Sequence, residues 1–207
     1  MINDSWDEQR SFYSQDGFAG KPLEEEFYLL LSRYSGDLEE GLVELIDLRT
    51  FEVLHTWNPD IDRFNSTVNQ IEEFQFLDRD SNNYRTRLIS PQLTNDGGLL
   101  FLSGGPLRKI NSCSELIFQN TKDEFHHSIE TDIDGNIWSP TYIYPTSISS
   151  EKVGGDLKRT FLDDGIVKLS PNGKILYEKS IAEIFIENDM EYLLFAVGDR
   201  SFDKDPI

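Results

Sequence analysis

Cysteine is almost absent from this sequence of 207 residues: Cys113 stands alone, flanked by Ser112 and Ser114. An internal disulfide and a cysteine-built zinc site are therefore excluded. Basic residues are scarce beside acidic ones, 19 against 38, which leaves a formal charge of -19. Such a surface repels phosphate backbones and anionic membranes, and no Lys/Arg cluster interleaved with aromatics offsets it, so no nucleic-acid partner is expected. Long apolar runs are missing as well. The longest are Phe27 to Leu31 and Tyr192 to Val197, far short of the roughly 18 to 20 residues that span a bilayer. Asn3, Asp4, Asp7 and Glu8 occupy the place where a secretory leader carries basic and then apolar residues, so the chain as written is expected in the cytoplasm. What remains suffices for a core. Hydrophobic residues make up 38% and aromatics 12%, so a folded protein with small-molecule or basic partners is expected rather than an acidic tail.

The sequence repeats itself. Lys109 to Phe118 aligns without gaps on Lys168 to Tyr177, an offset of 59 residues, and Glu44 to His55 fits the same strand-turn-strand unit with two extra turn residues. A second hairpin type lies between these copies, Ser90 to Phe101 matching Ser128 to Trp138. Asp96-Gly97, Asp134-Gly135 and Asn172-Gly173 interrupt alternating apolar runs with residues that tolerate positive φ, a strong hairpin signal. Two hairpins per repeat make four antiparallel strands, and a four-stranded unit repeated at this period is the signature of a β-propeller blade. A β-sandwich has similar turn spacing but gives no reason for the self-similarity.

The expectation is an all-β, partial β-propeller of about three four-stranded antiparallel blades with a short helix near the C-terminus. Its boundaries are blade 1 at about 20–60, an acidic insertion at 60–84, blade 2 at about 85–122, blade 3 at about 124–180, and a helix and linker at 180–207. The first blade shows no innermost strand before Phe27. Val68 to Phe76 has helical character within the insertion, Ser147 to Asp164 forms a second long loop with Gly154-Gly155, and Ser180 with Glu183 fits a capping box before Ile181, Ile184 and Phe185. Propellers close with roughly 4 to 8 blades, so an arc of three leaves raw edges. Either the chain is incomplete or a homodimer completes the ring.

Candidate chemistry centres on His126 and His127, which follow Phe125 where an innermost strand begins. That strand borders the central channel, the usual ligand site, and neutral imidazole is the best base or nucleophile near pH 7. Alternation along a strand sends one ring to each face. The bland alternative packs one histidine between blades and leaves the other in solvent. The corresponding position in the preceding repeat is Ile89, so the fold itself does not demand histidine.

Phe125-His126-His127-Ser128-Ile129, followed by Asp134-Gly135-Asn136-Ile137-Trp138 and by the hairpin Asp164 to Leu169 and Gly173 to Ser180, resembles the bacterial arylsulfotransferases, six-bladed propellers. The likeness covers roughly Gly36 to Ile207. It implies sulfuryl transfer from a phenolic sulfate ester to a phenol through a sulfohistidine, with aryl sulfate and phenol as partners and no cofactor. In that scheme His126 or His127 holds the sulfuryl group rather than attacking it, and the location is periplasmic or membrane-anchored. Ser128 stands where the family motif has Asp, and the family's later His-any-Asn segment and nucleophilic histidine find no counterpart here. The chain is therefore expected to be incomplete and inactive alone; the alternative is a non-catalytic β-propeller module for binding or interaction.

The other polar clusters read more simply. His55, the third histidine, sits on an outer strand and reads as structural or solvated. Asp132 to Asn136 lacks the Gly and Glu spacing of a calcium loop, so no metal is expected. Asp163-Asp164, Glu24 to Glu26 and Glu39-Glu40 read as solvated faces. Arg85 and Arg87 are candidates for binding an anionic substrate, against the alternative that they pair with neighbouring carboxylates.

Overall fold

The computed structural model describes residues 18, 20–69, 74–148 and 162–194. Three antiparallel sheets follow one another along the chain. The first is made of β1 (Tyr28–Ser35), β2 (Glu40–Asp47) and β3 (Val53–Trp57), and the short helices α1 (Ile61–Asn65) and α2 (Leu77–Asp80) follow it. The second holds β4 (Ile89–Leu93), β5 (Leu99–Leu102), β6 (Leu107–Ile110) and β7 (Leu116–Asn120), each paired with the next. The third contains β8 (Glu124–Phe125), β9 (Glu130–Thr131), β10 (Ile137–Tyr142), β11 (Asp164–Leu169) and β12 (Ile175–Ser180), with β8 and β9 both on β10. Helix α3 (Ile181–Glu187) and a 3₁₀ turn at Glu191–Leu194 end the described chain. No helix among the described residues is long and apolar enough to cross a membrane.

The repeat is carried by the turns. In three hairpins the same pair of backbone bonds closes the loop: Thr94 N to Gly98 O with Gly97 N to Thr94 O, Asp132 N to Asn136 O with Gly135 N to Asp132 O, and Ser170 N to Lys174 O with Gly173 N to Ser170 O. Gly97, Gly135 and Gly173 take φ of +77°, +77° and +81°, the left-handed position of a three-residue hairpin loop. A fourth turn, Asn111 to Glu115, has the same bonds with Ser114 at φ +64°. The first-sheet hairpin closes between Asp47 and Glu52, which makes it one residue longer than the fourth turn, where two were expected.

Side-chain alternation along β5 fixes how the sheets stack. Leu99 and Phe101 point into one core with Val43, Trp57, Ile61, Phe64, Leu88 and Ile110, which joins the second sheet to the first. Leu100 and Leu102 point the other way, into a core with Leu107, Phe125, Ile129, Ile137, Val167 and Leu169, which joins it to the third. The middle sheet is thus buried on both faces, and its β5 reads as an unbroken apolar run for that reason. The result is a propeller-like stack of three sheets, all-β and open at its ends. The expectation of four strands per blade needs two corrections. The first sheet has three strands among the described residues, because nothing there pairs with the outer side of β1; the third counts five because its innermost strand is split into β8 and β9.

The insertion packs against the second sheet through Arg108, a guanidinium fully buried in β6. It donates to Gln119 Oε1 at 3.1 Å, to Asn65 Oδ1 at 2.6 Å and to Ser103 Oγ. Burial pushes its pKa down to about 10. Part of the helix expected at Val68 to Phe76 lies outside the described residues; α1 and α2 flank it. At the far end Ser180 caps α3 by accepting from Glu183 N at 3.2 Å, as the Ser-x-x-Glu spacing predicts.

The exit from the second sheet is tied to the outermost strand of the third. Lys122 Nζ lies 3.0 Å from Glu178 Oε2. Burial first, and then the Glu178 carboxylate, push the Asp123 carboxyl up to about 6. A carboxyl raised on folding is destabilising once it must ionise, so stability falls as pH rises from about 4 to 6. Asp123→Asn is expected to stabilise the protein by about 1 kcal/mol at pH 7.5 and by nothing measurable near pH 4, with urea unfolding at both values as the check.

Candidate functional site

The innermost strand of the third sheet breaks at the histidines. β8 pairs with β10 through Phe125 and Thr141, and β9 resumes through Glu130 and Trp138. Four residues, 126 to 129, therefore oppose only Ser139 and Pro140. Pro140 supplies the cause. Its carbonyl accepts from His126 N at 3.2 Å, so its ring nitrogen sits where the ladder needs a donor, and proline has none.

Within the break, Ser128 N donates to His126 O at 3.0 Å and His127 takes φ +64°. This is a three-residue turn with His127 at its apex, a strained conformation that persists only where the surroundings hold it. The neighbouring sheet does the holding: Ser90 Oγ donates to His127 O and Gln92 Nε2 to Ile129 O, each at 2.5 Å. β4 is itself bulged there, with Ser90 at φ +49°.

The turn overrides strand alternation. Instead of facing opposite sides, the two imidazoles meet edge to face, with centroids 4.7 Å apart and planes at 89°. His127 is exposed. His126 is turned inward, its side chain 15% exposed, with its ring 4.3 Å from that of Tyr142 and its Nε2 3.2 Å from Asp164 Oδ1. Neither ring nitrogen makes an aligned hydrogen bond or reaches solvent, so the Asp164 contact is an ion-pair approach. Burial pushes the His126 pKa down, Asp164 opposes that, and His127 adds to it. Burial thus favours the uncharged ring. The Tyr142 phenol is pushed up, by burial first and then by Asp164 and Glu124. Tyr144, half exposed, extends the aromatic surface with its ring 6.4 Å from that of Tyr142.

These groups come from three adjacent strands. Glu124 and Asp164 are the two register partners of Tyr142, so one cross-strand row delivers phenol and carboxylate to the imidazole. They lie on the face of the third sheet opposite the core it shares with the second, because Phe125, Thr141 and Gly165 alternate toward that core.

The reading of Asp163-Asp164 as a solvated face holds for Asp164, 59% exposed at its side chain, and is corrected for Asp163. Asp163 is buried, its Oδ2 accepting from Ser147 N at 2.6 Å and Ser147 Oγ at 2.7 Å, and its Oδ1 from Ser180 Oγ at 2.6 Å. Asp164, next in the chain, is thereby set against His126. The charge pattern alone does not reveal this, since the residues between β10 and β11 hide the register that pairs Tyr142 with Asp164.

Arg85 leans back on the insertion, its Nη1 donating to Arg79 O at 3.0 Å and lying 3.9 Å from Asp80 Oδ1. Arg87 is exposed. His55 is engaged elsewhere, its Nε2 2.8 Å from Ser112 O and its ring edge-on to Trp57 at 4.4 Å. A cleft of about 430 Å³ lies at the turn end of β4–β5 and β9–β10, away from the histidines. Of its three carboxylates, Asp96 and Asp132 are already paired with Lys109 and Lys168. Among the described residues no group of three or more His, Cys, Asp or Glu is placed to hold a metal ion.

Comparison with known proteins completes the picture. The family model for arylsulfotransferase (ASST) matches residues 90–207, more than half of the chain, a stretch that opens in β4 and takes in the histidine pair. No curated protein matches the chain.

Proposed function

Since the chain belongs to the arylsulfotransferase family, we propose that it takes part in moving a sulfuryl group from a phenolic sulfate ester to a phenol, with His127 holding that group and His126 packed behind it. The observation that carries this reading is the strained turn that exposes His127 beside a buried His126. In the transfer the aryl oxygen–sulfur bond breaks as a nitrogen–sulfur bond forms on an attacking imidazole, and the aryl oxygen takes up a proton; the acceptor phenol then reverses the exchange. Imidazole N–H groups beside the sulfuryl oxygens stabilise the charge that builds there. Tyr142 and Tyr144 offer the aryl ring a flat surface, and Arg87, with Arg85 once released from Asp80, supplies positive charge.

Both nitrogens of His126 are buried and His55 is committed to Ser112, so neither ring is placed to attack. With three histidines in the sequence, the proposal gives this chain the holding role, with the attacking imidazole supplied when further β-structure, such as a second copy, packs on the outward face of the third sheet. The same burial favours a second reading, a propeller-like module that binds an aryl sulfate without turning it over.

Calorimetry with 4-nitrophenyl sulfate tests the holding role. Saturable binding is expected, weakened at least about tenfold in His127→Ala, the loss of roughly one charge-assisted hydrogen bond. Equal affinity in the variant contradicts the reading. Steady hydrolysis or transfer by the 207-residue chain as a monomer contradicts the division between holding and attack.

A further inference from the structure

We infer that Asp164 is the positioning residue that decides which imidazole nitrogen of His126 carries the proton. The inference rests on the geometry of the third sheet; only its consequence for sulfuryl chemistry depends on the family reading. Asp164 opens β11 directly beside Tyr142 on β10, and its Oδ1 lies 3.2 Å from His126 Nε2. A carboxylate that close favours a proton on the nitrogen facing it and fixes the ring's tautomer. The Tyr142 ring against one side of the imidazole and His127 edge-on to it restrict other rotations. The carboxylate comes from a neighbouring strand, whereas the sequence neighbour of the pair, Ser128, has no carboxylate to offer.

Among the described residues, the charged and titratable groups around His126 are few. Asp164 faces it from β11, Tyr142 from β10, Glu124 precedes it on β8 and His127 follows it. Of these, Asp164 favours a protonated ring and His127 opposes it; the Thr141 backbone also favours protonation. The Asp164 carboxylate, 3.2 Å from Nε2, draws the ring proton to that nitrogen, which leaves Nδ1 as the basic one. Asp164 also keeps His126 more basic than its burial alone would allow, so an anionic ligand arriving at His127 finds a ring that is able to take up a second proton.

Long-range ¹H–¹⁵N spectra of the intact protein read this directly, because three histidines are assigned by three single substitutions. The wild type is expected to show His126 as the Nε2–H tautomer. In Asp164→Ala, the Nε2–H signature is lost in favour of Nδ1–H; in Asp164→Asn, whose amide oxygen still accepts, the tautomer stays and the His126 titration midpoint moves down. Asp164 is 59% exposed at its side chain, so both variants keep the fold, which the amide spectrum verifies. A wild-type Nδ1–H tautomer, an unchanged tautomer in Asp164→Ala, or an unmoved midpoint in Asp164→Asn overturns the inference. Failure of aryl sulfate binding with the expected tautomers in place would refute the sulfuryl reading alone.

Discussion

Trp57→Ala is expected to lower the unfolding free energy by about 4 kcal/mol, enough to remove much of the stability of a domain this size. Trp57 ends β3 and is 2% exposed, packed with Val43 of its own sheet and Leu99, Phe101 and Ile110 of the next. Its indole Nε1 donates to Gly97 O at 3.2 Å, the turn glycine of the β4–β5 hairpin. One side chain thus joins the outer strand of the first sheet to the second sheet and to its inner hairpin. Truncation removes the largest ring from the core and leaves a cavity that rigid sheets on either side cannot close, which puts the loss toward the upper part of the aromatic-to-alanine range. The Gly97 carbonyl can turn to water, so the lost hydrogen bond adds little. Urea unfolding followed by tryptophan-independent far-UV signal checks this; a change under about 1 kcal/mol would mean that the first two sheets do not share a core.

Asp163→Ala is the second large effect, about 3 kcal/mol of stability together with a disturbed histidine site. The buried carboxylate gathers one backbone N–H and two hydroxyls, from Ser147 and Ser180. Removing it leaves the buried Ser180 hydroxyl without an acceptor and unties the exposed Ser147 from β11, and an unsatisfied buried group costs about 1 to 3 kcal/mol. Ser180 also caps α3, so the helix end loosens with the loop. Because Asp164 follows directly, its approach to Nε2 depends on this anchor. The prediction is a joint one: lower stability and a His126 tautomer shifted as in Asp164→Ala. Loss of stability with the tautomer intact would show that β11 positions Asp164 without help from its neighbour.

Much of the fold was legible because the repeat is local. Each Asp-Gly or Asn-Gly pair fixes a turn, and the alternation on either side then fixes which residues face which core, so the hairpins fall where the self-similarity puts them. What was not legible depends on the third dimension. The splitting of β8 from β9 arises from pairing across the sheet, and Pro140, which breaks the ladder, sits on the strand opposite the histidines. The histidine pair was legible as a pair, since a polar doublet stands where the neighbouring repeat has Ile89. Its arrangement was not: alternation predicts opposite faces, and only the positive φ of His127, held from Ser90 in the adjacent sheet, brings the rings together. Asp164 and Tyr142 were invisible for a similar reason, as the residues between β10 and β11 conceal their register.

In the proposed function, the ligand binds at the turn formed by His126 and His127. The most direct measurement is a titration of the intact chain with 4-nitrophenyl sulfate, followed at the imidazole resonances of all three histidines. The predicted result is saturable movement of the His126 and His127 signals with His55, bonded to Ser112, unmoved. Saturable binding that leaves both signals in place, or that moves His55 instead, would contradict it.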